Sequence, residues 1–158
     1  MEWQGDTRKV SDEESAQLFS AGILYLSNGA FSYAYACFER ISHKDFSLLF
    51  NKALCYFGAA GYEECYRLLC DAEWLLPGGM PSCPAELPDA LLCWEYDSNP
   101  LLCPIPQQGM LPSVAVVQLL RLKAETAFKL RLYGEVKSIS ARLGGKYKHI
   151  NELIKQME

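Results

Sequence analysis

The chain has 158 residues and a formal net charge of −4; half of its residues are hydrophobic and 12% are aromatic. That composition excludes a disordered chain, and the acidic balance argues against a nucleic-acid partner, which needs a basic face. No apolar run reaches the ~18 residues of a membrane span, so no membrane association is expected.

Ser11-Asp-Glu-Glu14 forms a capping box ahead of an apolar run, which predicts a first helix from about Asp12 to Leu26. Asn28-Gly29 accept a left-handed backbone and end it. A second helix carries Phe31, Ala34, Tyr35, Phe38 and Ile41 on one face. Asp45 caps a third helix that runs to about Ala59. After Gly61 a fourth reaches Leu76, where Pro77-Gly78-Gly79 stops it.

From Pro77 to Pro112 the character changes. All eight prolines fall here, with Cys83, Cys93 and Cys103 and no Lys or Arg. Prolines forbid a long helix, yet Leu91, Leu92, Trp94, Leu101, Leu102 and Ile105 are too apolar for a solvated linker. The segment is expected to lie against the helices. Helices resume over 113–132 and 135–143, and Gly144-Gly145 ends the second. A last amphipathic helix places Tyr147, Ile150, Leu153, Ile154 and Met157 on its apolar stripe, with Lys148, His149 and Asn151 towards water.

The sequence repeats itself. Leu18, Phe19, Gly22, Tyr25, Phe31, Ala34, Tyr35, Phe38 and Ile41 recur 31 residues later as Leu49, Phe50, Ala53, Tyr56, Tyr62, Cys65, Tyr66, Leu69 and Ala72, and four of these pairs are identical. A period of this size marks stacked helical hairpins, each too small to bury its own apolar face. Leu120, Ala124, Tyr133, Val136 and Leu143 form a weaker third copy, with Ala127 and Ser140 in place of aromatics.

This large–small–aromatic pattern resembles the tetratricopeptide repeat family. The resemblance implies an all-α fold: a TPR-like right-handed stack of antiparallel helical hairpins (12–42, 45–76 and 113–143). A Pro-rich insertion (77–112) and a capping C-terminal helix (146–158) complete one domain.

Members of that family bind partners along the inner surface lined by the first helix of each hairpin. Carried over, the partner-binding groove is Phe19, Ile23 and Leu26 with Phe50, Leu54 and Phe57. The version that grips C-terminal carboxylates uses Lys and Asn where Phe19 and Ile23 stand. Only Asn51 matches, and asparagine is common there for packing reasons, so no carboxylate clamp is expected. Burying one large apolar side chain is worth about 1.5–3 kcal/mol, so something should cover the groove. Candidates are the insertion, through Leu91, Leu92, Trp94, Leu101 and Leu102, or an apolar segment of a protein partner.

Signs of chemistry are few. Cys83, Cys93 and Cys103 lack the close pairs of a structural zinc site, and the odd total of seven cysteines fits free thiols in a cytoplasmic setting. The two histidines, His43 and His149, fall on a turn and a polar helix face. No catalytic residue, cofactor or metal is expected. The expected function is a non-catalytic interaction module; the alternatives are a chaperone for apolar client segments and, last, a metal or enzyme site in the insertion.

Overall fold

The computed structural model describes residues 10–76, 104–106, 112–145 and 147–158. Among them lie seven helices and no strand: α1 (Asp12–Ser27), α2 (Phe31–Glu39), α3 (Phe46–Gly58), α4 (Tyr62–Glu73), α5 (Pro112–Lys129), α6 (Tyr133–Arg142) and α7 (Lys148–Met157). The chain is all-α in these residues.

Local sequence places the boundaries. The Ser11 hydroxyl accepts from the Glu14 amide at 3.2 Å, and the Asp45 carboxylate accepts from the Leu48 amide at 2.8 Å, each satisfying a helix-start donor. Pro112 opens α5, where a missing N–H costs nothing. The fourth helix ends at Glu73 rather than Leu76. Leu75 and Leu76 donate only three residues back, to Ala72 and Glu73, and this tighter winding turns Leu76 into the core while Trp74 stays 88% exposed.

Three turns are copies of one another. Gly29, Ala60 and Arg131 take φ of 75°, 61° and 60°, all left-handed. The next residues, Ala30, Gly61 and Leu132, share φ near −85° (−87°, −83°, −85°) and ψ near 65° (67°, 64°, 65°). Their amides reach back to the carbonyls of Tyr25, Tyr56 and Ala127 at 2.9, 2.7 and 2.8 Å. This is the closing bond of a Schellman turn, which satisfies carbonyls that the helix end leaves open. The same turn therefore folds α1 onto α2, α3 onto α4 and α5 onto α6. It also explains why α5 stops at Lys129 and α6 begins at Tyr133: Arg131 and Leu132 occupy the turn.

Packing follows the repeat. A Cβ on Gly22 would overlap the fully buried Phe38 ring, so glycine is required at that helix crossing; one on Gly58 would meet the outer edge of the partly exposed Phe31 ring. The second copy keeps the total volume differently, with Ala53 and Leu69 at the positions of Gly22 and Phe38; all four are buried. One contiguous core runs from Phe19 in α1 to Leu153 in α7. Burial is uneven. In α3 every residue from Phe46 to Cys55 is buried, as is every one from Ala115 to Ala124 in α5, whereas α1 buries only Ser15, Phe19, Gly22 and Leu26.

His149 departs from the sequence reading. It is 8% exposed, with Nε2 at 3.0 Å from Glu125 Oε2 of α5. Helix α7 crosses both α5 and α6, so its buried face is wider than the apolar stripe and takes in His149 beside Ile150 and Leu153.

Candidate functional site

Successive hairpins meet at two joints built from the same parts. At the first, between α2 and α3, the Lys52 ammonium lies 5.5 Å from the centre of the Tyr35 ring and 2.7 Å from the Glu39 carboxylate. At the second, between α4 and α5, the Lys123 ammonium lies 5.5 Å from the centre of the Tyr66 ring and 3.4 Å from Glu73. Tyr35 and Tyr66 are one repeat apart, and Lys52 and Lys123 hold equivalent places in the second and third copies. Each lysine combines a cation–π contact with an ion pair.

The joints differ in their acids. Glu39 is 57% exposed and pairs with Lys52; Glu73 is 21% exposed and also takes Arg142 Nη1 at 3.1 Å. Lys52 holds the Glu39 carboxyl below the usual carboxylate range, against the opposing effect of burial. The Tyr35 hydroxyl is pushed up, first by its hydrogen bond to Tyr56 and then by burial and Glu39. A cleft of about 230 Å³ opens beside this joint, lined by Phe31, Ser32, Tyr35, Cys55, Tyr56 and Ala59. It is below the ~300–1,000 Å³ of ordinary ligand pockets. Burial pushes the Cys55 thiol up to about 12 and the Cys65 thiol up to about 11, which leaves both as weak nucleophiles. Among the described residues no group of three His, Cys, Asp or Glu side chains is placed to hold a metal ion.

The six groove residues occupy two environments. Phe19, Leu26, Phe50 and Leu54 are buried within the core, Phe50 and Leu54 completely. Ile23 and Phe57 pack against that core and keep partial exposure. The six therefore do not line an open groove: four belong to the core, and only Ile23 on α1 and Phe57 on α3 keep appreciable exposure. Leu91, Leu92, Trp94, Leu101 and Leu102, expected to cover the groove, lie outside the described residues.

One short piece of the insertion is described, and it lies on α3. Asn51 is wholly buried. Its carboxamide donates to the Ile105 carbonyl at 2.8 Å and accepts from the Ile105 amide at 2.9 Å. One turn earlier the Ser47 hydroxyl donates to the Pro106 carbonyl at 3.0 Å. Ile105 itself is 1% exposed. From the sequence Asn51 reads as a packing residue, because a side chain gives no hint of a backbone partner 54 residues away. Its register could have drawn notice: the equivalent positions hold Ser20 in α1 and Leu122 in α5, so the amide is not part of the repeat.

No helix among the described residues is long and apolar enough to cross a membrane. Compared with known family models, curated proteins and solved structures, the chain matches none of them.

Proposed function

We propose that this protein is a non-catalytic interaction module, an adaptor or complex subunit built as a tetratricopeptide-like array of three hairpins. The observation that carries this reading is the pair of matching joints, Tyr35–Lys52 and Tyr66–Lys123. They spend charged and aromatic side chains on stacking one hairpin upon the next, as a solenoid scaffold requires. The thiols of Cys55 and Cys65 are unreactive through burial, and the nearby cleft is too small for a typical substrate. The partner is a protein, met on α1 and α3 through the partly exposed Ile23 and Phe57.

The test uses Ile23 and Phe57, whose partial exposure lets them be altered without opening the core. Tagged wild-type chain and the Ile23→Glu, Phe57→Glu double variant are compared by quantitative affinity capture, with circular dichroism confirming equal helix content. A specific partner held by the wild type and lost by the folded variant is the expected result. A partner retained equally by both places the interaction elsewhere, and turnover of a small substrate by the wild type refutes the non-catalytic reading.

A further inference from the structure

The hydrogen bonds between Asn51 and Ile105 are of an unusual kind for a helix surface. A side-chain carboxamide carries the same donor and acceptor as a peptide group. Asn51 therefore completes with residue 105 one rung of the ladder that joins two strands, at 2.8 and 2.9 Å. Nothing in that rung depends on the side chain of the residue bound; selectivity comes from the sheltered space that takes Ile105.

The bound piece is suited to such a site. Pro104 and Pro106 have no N–H, so Ile105 carries the one backbone donor of the three residues, and Asn51 satisfies it. Ring closure fixes φ at both prolines, and a residue before proline is held extended, so little conformational freedom is lost on binding. Ser47 then takes the Pro106 carbonyl. The joints recur from hairpin to hairpin, whereas the equivalents of Asn51 are Ser20 and Leu122 and those of Ser47 are Ala16 and Gln118. A feature that the stacking does not require stands on the central hairpin alone.

We propose that the Ser47–Asn51 face of α3 is a recognition site for an extended proline–aliphatic–proline segment, and that Pro104-Ile105-Pro106 is its resident occupant. A protein partner offering the same chemistry exchanges with that resident segment. This rests on the interaction reading above and adds to the contact at Ile23 and Phe57 a second one, with the element of the partner that it takes.

The experiment uses a labelled peptide of residues 100–108, with Cys103→Ser to prevent oxidation, titrated against the full-length chain by fluorescence anisotropy. Ile105→Asp in the protein expels the resident segment, because a carboxylate is costly in a space that held isoleucine. The peptide is expected to bind this variant at least tenfold more tightly than wild type. Adding Asn51→Leu, similar in volume but unable to form the rung, should abolish the binding. No binding to a folded Ile105→Asp chain, or binding that survives Asn51→Leu, overturns the proposal.

Native-state hydrogen exchange on the wild type decides the matter should Ile105→Asp unfold. An Ile105 amide that exchanges by local opening, well ahead of the Ala53 and Leu54 amides, supports exchange of segments. Exchange at the rate of those core amides makes the contact a fixed part of the fold and overturns the proposal. Either failure leaves the broader reading to the Ile23 and Phe57 capture, which does not involve this site.

Discussion

The two joints between hairpins are reached by very different paths. At the first, Glu39 and Lys52 are 13 residues apart along the chain; at the second, Glu73 and Lys123 are 50 apart. Loop-closure entropy grows slowly, at about 0.6 kcal/mol per doubling, so the longer path costs roughly 1.2 kcal/mol more. The lysine nevertheless stands 5.5 Å from the tyrosine ring centre in both. Helix faces, not the connection between them, dictate how hairpins stack. So α4 and α5 pack directly although the connection between them is long and rich in proline.

The comparison can be broken most forcefully at the acids. Glu73→Ala leaves the buried Lys123 ammonium without its counter-charge and should cost about 3–5 kcal/mol. Glu39→Ala also takes the counter-charge from a buried lysine, Lys52, but Glu39 stands 57% open to water that can solvate the ammonium in its place, so the loss should be clearly smaller than at Glu73. Urea denaturation of both variants checks this, and equal losses would contradict the difference in burial.

A smaller effect follows from the turns. Ala60 and Arg131 adopt a left-handed backbone that costs a non-glycine residue about 1–2 kcal/mol. Ala60→Gly and Arg131→Gly should each stabilise the protein by about 1 kcal/mol, and by similar amounts, since their φ values agree to one degree (61° and 60°). Thermal melts that gain at one site and lose at the other would show that the turns are not equivalent.

The acid response of the first joint is smaller again. With its folded pKa lowered by Lys52, Glu39 stabilises the protein above the unfolded carboxylate pKa of about 4.3, and the contribution is lost as pH falls through the folded value. Glu39→Gln should therefore lower stability slightly near neutrality and flatten the acid limb of a stability–pH profile, the two profiles converging once Glu39 itself is protonated. An unchanged acid limb would remove the coupling to Lys52.

Thiol chemistry offers a probe that leaves stability alone. Cys37 and Cys70 are partly exposed, whereas Cys55 and Cys65 are buried with raised pKa values of about 12 and about 11. Peptide mapping after brief alkylation at neutral pH should find Cys37 and Cys70 modified well before the other two. Early labelling of Cys65 would mean that the second joint opens readily.

Much of the helical layout was legible because it is written locally. Ser11, Asp45, Asn28-Gly29 and Gly61 are capping and turn residues whose effect extends over one helical turn. The 31-residue repeat singled out Gly22 and Phe38, which the structure brings together, and their counterparts Ala53 and Leu69. Burial on a helix with neighbours all around was not legible. Phe50 and Leu54 read as groove residues because a helical wheel shows direction but not what lies beyond it, and α3 is enclosed on every side from Phe46 to Cys55. His149 was misplaced for the same reason, since α7 packs on two helices at once. The joints left a trace in sequence, a lysine at one register in two copies and a tyrosine at another. The tyrosines belong to the repeat, but a lysine has no place in an apolar core pattern, so the sequence does not show that the two residue types meet.

The three matching turns also set an order of assembly. Each closes through bonds that span at most five residues, so every hairpin can form from contacts close in sequence, and such contacts form fastest. The first joint adds a short closure, which makes α1 to α4 the natural early unit. The third hairpin must then find α4 across the whole insertion. During synthesis α1 to α4 can pair while α5 is still being made, and α3 is fully enclosed only once Ile105 and the last hairpin have docked.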